Sequence, residues 1–307
     1  MRVLARLLLL SACLIAVAAT TGGAAAHAFC PGIDGQITYP KAGKLHLLSL
    51  RECDNRVTGT TKTTTRALPG VRTTGARAQT QKMWVHGRLV FSRAENGPVV
   101  LLKLSSDGRW LFFAIEHQAS ASIAADGLDL LVVSTTGGPV HHLGLTLAYP
   151  DYLTWCNGRL VYAQGGDRIA IHAKRLLVAA PPDWRPHTLW HDPALSFASP
   201  ACDPRSNAVA VLVQRSGVDA RFFDTHWALW RVGLDGSHVL LDRPPSGYAN
   251  ESPVWSPDGS TLAFVREHQG HGQLAVLFGP DLYGPLAELG YSLGFYGHHD
   301  WGLSWQA

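Results

Sequence analysis

The chain has 307 residues, which suits one large domain or two small ones, and 46% of them are apolar, enough to bury a sizeable core. A formal net charge of +3 with only 16% charged residues is too weak and too diffuse for a nucleic-acid binder. Ten tryptophans and 31 glycines beside two methionines fit an all-β chain with many tight turns.

The chain opens with an export signal. Arg2 and Arg6 form a positive n-region, Leu7 to Ala19 is an apolar run, and Ala26-His27-Ala28 is a small-x-small cleavage site. Residues 1–28 are therefore expected to be removed, leaving Phe29 as the mature start. The run is shorter than the ~18 residues that span a bilayer. Two alternatives are an uncleaved anchor over Val3 to Ala26 and lipidation at Leu10-Ser11-Ala12-Cys13. Four cysteines remain after cleavage: Cys30, Cys53, Cys156 and Cys202. An even number in an exported chain reads as disulfides, and the C-x₂-C spacing of zinc sites is absent.

Strand signals then recur along the chain. Gln36 to Tyr39 and Leu45 to Leu50 read as paired strands. Residues 58–80 are rich in Thr, Arg and Gly with little periodicity, and a flexible loop is expected there. Trp84-Val85-His86-Gly87-Arg88-Leu89-Val90-Phe91 is matched almost residue for residue by Trp155-Cys156-Asn157-Gly158-Arg159-Leu160-Val161-Tyr162. Leu104 to Gly108 followed by Trp110 to Ile115 is a related unit, Cys202 to Ser206 before Val209 to Val213 a degenerate one. The clearest is Val254-Trp255-Ser256-Pro257-Asp258-Gly259 before Leu262 to Val265. Gly138 to Gly144, Leu229 to Leu241 and Gly284 to Gly290 repeat a second half of the unit.

The turns fall at 108, 158, 206 and 259, steps of 50, 48 and 53 residues. That is the length of a four-stranded blade, which must stack on others to bury both faces. The fold expected is all-β: a six-bladed β-propeller of four-stranded antiparallel blades with one irregular blade, five blades being the alternative. Trp301 to Trp305 looks like the first strand of a further blade, and the N-terminal blade lacks one, so their pairing would close the ring. Cys156 follows Trp155 and Cys202 aligns with Trp255, placing both on inner strands of consecutive blades. The pairs expected are Cys156–Cys202 and Cys30–Cys53.

The Trp-Ser-Pro-Asp-Gly turn and Leu-Ala-Phe-Val strand at 255–265 resemble the PD-type repeat of TolB-like propellers. The resemblance runs from about Gly35 onward and covers the propeller part only, without the N-terminal α/β domain of TolB. It implies six blades and a ligand face at one end of the central channel.

No nucleophile elbow, P-loop, Rossmann glycine pattern or H-E-x-x-H helix is present. Asp151 and Glu251 lie four residues before Trp155 and Trp255, and Asp300 lies five before Trp305. In the repeat these carboxylates occupy equivalent loops at one channel mouth, with His298 and His299 beside them and Tyr152 and Tyr296 as aromatic walls. Asp151, Glu251, His298 and Asp300 are the candidate metal ligands, suited to calcium or zinc; loop-capping carboxylates and surface histidines are the ordinary alternative. His141 and His142, neighbours on a strand, should face opposite ways.

The function expected is that of a non-catalytic binding or scaffold module for a protein, peptide or glycan at the cell envelope, secreted or periplasmic, monomeric and without a required cofactor. A metal-dependent hydrolase or lyase at the channel mouth is the alternative, and an accessory lid for a neighbouring enzyme is a third reading.

Overall fold

A computed structural model describes residues 30–61, 68–74, 78–94, 97–116, 127–165, 169–217, 225–292, 298 and 300–306. Residues 1–28, where a signal peptide is expected, and Tyr296 and His299 lie outside the described residues.

Two-residue turns fix where strands end. Ala42-Gly43, His86-Gly87, Asn157-Gly158 and Gln269-Gly270 each place two successive residues at positive φ. That is the backbone of a type I′ hairpin, whose twist suits the flanking antiparallel strands.

Three strands come first: β1 (Gln36–Lys41), β2 (Lys44–Ser49) and β3 (Asn55–Thr60). A three-stranded sheet follows, β4 (Val71–Thr73), β5 (Thr80–Val85) and β6 (Arg88–Ala94). The third blade is β7 (Val99–Leu104), β8 (Trp110–Ile115), β9 (Gly127–Ser134) and β10 (His141–Leu147). The fourth is β11 (Leu153–Cys156), β12 (Arg159–Gln164), β13 (Arg175–Ala179) and β14 (His187–Trp190). The fifth is β15 (Leu195–Cys202), β16 (Ala208–Arg215), β17 (Ala228–Gly233) and β18 (His238–Asp242). The sixth is β19 (Ala249–Trp255), β20 (Thr261–His268), β21 (His271–Phe278) and β22 (Asp281–Tyr291). Finally β23 (Ser304–Gln306) returns to β1, pairing Ile37 with Trp305, and completes the first blade in the order β23-β1-β2-β3.

The protein is thus a six-bladed propeller. Five blades have four strands, and β4–β6 has three among the described residues. The irregular blade and the closing strand stand where the sequence put them. Strand structure also enters the 58–80 stretch, through the end of β3 and through β4.

Burial is between blades rather than inside any one of them. One apolar cluster joins the third and fourth blades through Phe112, Trp155 and Trp184. Another joins the fourth, fifth and sixth through Val161, Val211 and Phe264. A third carries the sixth onto the first through Val265, Ile37 and Trp301. The inner strands share one register: Trp155, Cys202, Trp255 and Trp305 pair with Leu160, Val209, Leu262 and Ile37. A Cys156–Cys202 disulfide therefore bridges two neighbouring inner strands, with Cα atoms 5.2 Å apart. Cys30–Cys53 ties the N-terminal end to the β2–β3 turn.

Candidate functional site

Residues of β7, β11, β15 and β19, with Leu303 just ahead of β23, wall a central cavity of about 290 Å³. Its polar members include Lys103, Asp151, Ser199 and Asp300.

Two of the walls are bent by the same device. Ser199-Pro200 and Ser252-Pro253 hold equivalent places in β15 and β19, and both serines sit at φ 46° where the strand register shifts. Proline has no N–H for the ladder, so it falls at a bulge. The bulge leaves Ser199 and Ser252 in the cavity wall.

Asp151 comes from the 3₁₀ turn Pro150–Tyr152 that leads into β11. Its Oδ2 accepts a 2.6 Å hydrogen bond from Ser199 Oγ and lies 2.8 Å from His298 Nε2. The His298 ring is buried, stacked on Tyr149 at 3.8 Å and meeting Tyr152 edge-on at 5.5 Å. His298 belongs to the segment that leads to the first blade, whereas Asp151 opens the fourth. The pair thus spans the channel mouth.

Electrostatics set the charge state of this group. Burial works to raise the Asp151 carboxyl, but the His298 imidazole and the hydrogen bonds from His298 and Ser199 outweigh it and hold the group at about 2. Burial also pushes the Tyr152 phenol well up, helped by the negative charge of Asp151. Lys103 donates a 2.6 Å hydrogen bond to the Leu153 carbonyl. Burial lowers its ammonium, and the charges of Asp151 and Asp300 work the other way.

Of the residues expected at the mouth, Asp151 and His298 are in hydrogen-bond contact, and Asp300 lines the same cavity as Asp151. Asp300 lines the cavity and accepts a hydrogen bond from Gly302 N through Oδ1. Tyr152 is fully buried behind the imidazole. Glu251 is elsewhere: it is a buried residue of β19, paired with Val265, and its Oε2 accepts a 2.6 Å hydrogen bond from Trp301 Nε1. Among the described residues no three His, Cys, Asp or Glu side chains gather as a metal site. His142 instead pairs with Asp129 at 2.5 Å, and His268 stacks on Tyr248 at 4.4 Å.

Lys103 and Ser199 were not foreseen. A signal for Ser199 exists, since Ser-Pro stands three residues before both Cys202 and Trp255. Lys103 interrupts the apolar run of β7, and an isolated charge in such a run marks a place where a strand faces a polar cavity rather than the core.

The chemistry of the group is limited. The Ser199 hydroxyl donates to the Asp151 carboxylate, and among the described residues it makes no hydrogen bond to an imidazole.

No family model matches this chain, and no curated protein matches it in sequence. Solved structures do resemble it. A putative TolB from Agrobacterium tumefaciens is 13% identical, with a TM-score of 0.45 over 88% of this chain and 89% of that one. TolB from Acinetobacter baumannii is 11% identical, with a TM-score of 0.46 over 80% of this chain and 61% of that one. A puromycin hydrolase is 12% identical, with a TM-score of 0.48 over 84% of this chain and 46% of that one. The likeness is one of propeller fold and goes no further. Among the described residues no helix is long and apolar enough to cross a membrane.

Proposed function

We propose that this protein is an exported, non-catalytic propeller that acts as a binding or scaffold module of the cell envelope, and that it meets its ligand at the Asp151–His298–Asp300 end of the channel. One observation carries this reading: the Asp151 carboxylate is fixed at the mouth through Oδ2, while its buried Oδ1 has no hydrogen-bond partner among the described residues. Asp151 Oδ2 takes up both the Ser199 hydroxyl and the His298 imidazole. A carboxyl held at about 2 has no proton to give at neutral pH and accepts one poorly. Such a group fixes charge and shape, which serves recognition rather than turnover.

The cavity of about 290 Å³ lies at the lower edge of the range for small-ligand pockets, roughly 300–1,000 Å³. It suits one side chain of a protein or peptide, or one sugar ring of a glycan, with the rest of the partner lying over the face. Export agrees with two disulfides, which persist in oxidising compartments.

The test is capture from envelope extracts, using purified wild type beside Asp300→Asn and Lys103→Gln. Both substitutions alter cavity charge while keeping both partners of the His298–Asp151 hydrogen bond. A partner retained by wild type and lost by both variants, with melting unchanged, is the expected result. Retention of the same partners by all three proteins would remove the channel mouth from the interface.

A further inference from the structure

A second recess lies at the end of the fifth blade, away from the channel. Leu195 begins β15, Arg215 ends β16, Ala228 begins β17, and Arg243 follows β18; all four line one cavity of about 500 Å³. Its floor is apolar. Cross-strand pairing puts Leu195 opposite Arg215, Val213 opposite Ala228 and Val211 opposite Trp230, so these side chains share one face of the sheet. That face is held rigid where Trp230 meets Trp190 of the fourth blade edge-on at 5.2 Å. The rim is fixed as well, because buried Gln214 accepts a 2.8 Å hydrogen bond from His226 N through Oε1.

Charge in this recess is one-sided. Arg215 and Arg243 both line it, and none of the described lining residues is acidic. Among the described residues neither guanidinium has a carboxylate partner. The adjacent Asp242 is engaged by Arg266 at 2.7 Å and by Asn250 at 2.7 Å. Two guanidiniums without a carboxylate partner, lining the same recess as the Trp230 indole, match a ligand with an acid at one end and an apolar body at the other. Guanidinium forks bind carboxylates through paired hydrogen bonds, and indole supplies a broad apolar platform. The volume falls within the small-ligand range of roughly 300–1,000 Å³.

We propose that this recess is a binding site for a small amphipathic carboxylate, its ring or alkyl body resting on Trp230 and its acid held between Arg215 and Arg243.

Isothermal titration of the intact protein with indole-3-acetate tests this, beside the neutral indole-3-acetamide and plain acetate. The acid should bind saturably, and the amide and acetate should each bind about tenfold more weakly or worse. Arg215→Gln and Arg243→Gln should each weaken the acid about tenfold; both residues are exposed, so melting should not change. Lys103→Gln, at the channel, should leave the affinity as in wild type. Equal binding of acid and amide, indifference to both arginine variants, loss of binding in Lys103→Gln, or no binding of the acid at millimolar concentration would each overturn the proposal. Loss of binding in Lys103→Gln would move the ligand to the channel cavity; the other outcomes leave the channel reading untouched, because it rests on other residues.

Discussion

At Asp151 burial and charge act in opposite directions, and charge wins. The folded value of about 2 lies below the ~3.9 of an unfolded aspartate. A depressed folded value means that folding favours the ionised form. Its stabilisation is fully present above about pH 4 and is lost as the pH falls toward 2. At ~1.4 kcal/mol per unit, and allowing for a side chain 24% exposed, the contribution is about 1–2 kcal/mol. Asp151→Asn should therefore lower the melting temperature at pH 7 by roughly 2–6 °C. The gap to wild type should close as both are melted at successively lower pH between 4 and 2. A gap of the same size at pH 2 would show that shape, not charge, is what the position supplies. Spacing before a tryptophan was enough to find Asp151 and Asp300 in the sequence, yet the same spacing misplaced Glu251. The reason is local. The Ser252-Pro253 bulge lengthens β19 backward, drawing Glu251 into the ladder opposite Val265, whereas the Pro150–Tyr152 turn keeps Asp151 outside β11.

Among the elements, the three-residue strand β23 has the largest effect for its size, because it joins the two ends of the chain. Its hold rests on three pairs with β1 and on the Trp305 indole, which donates to the Val254 carbonyl at 2.9 Å. Gly35 lies directly beneath that ring at φ 144°, and a Cβ there would meet Trp305 at 2.6 Å. Gly35→Ala should push the indole off β1 and destabilise the protein by about 1–3 kcal/mol, the usual cost of overpacking. Chemical denaturation followed by tryptophan emission measures this; stability equal to wild type would mean that the latch tolerates a shifted Trp305. Most elements could be read in advance, since glycine turns and alternating apolar residues mark both ends of a hairpin. The short β4 could not. Val71–Thr73 offers three residues without alternation, and only its pairing with Met83, Trp84 and Val85 makes it a strand.

Across the whole ring the joints between blades are unequal. The fourth and fifth blades share a disulfide and the Asn157 bond to the Ser206 carbonyl at 2.9 Å. Arg205 reaches Asp258 at 3.2 Å and links the fifth to the sixth, and Lys41 reaches the Glu288 carbonyl at 2.5 Å to link the first to the sixth. The second blade has three described strands and rests chiefly on apolar contact with the third through Met83, Phe91, Leu111 and Phe113. Its neighbour β3 is exposed along its whole length. Cooperative units with fewer cross-links open at lower free energy. Native-state hydrogen exchange should accordingly show amides of β5 and β6 exchanging through a partial opening, roughly 2 kcal/mol or more below the global unfolding reported by β16. The second blade would then be the place where the propeller loosens first, while the fourth to sixth blades, which carry most of the channel wall and the arginine recess, stay closed. If β5 and β6 are protected as strongly as β16, the ring unfolds as one unit and the irregularity of the second blade costs it nothing.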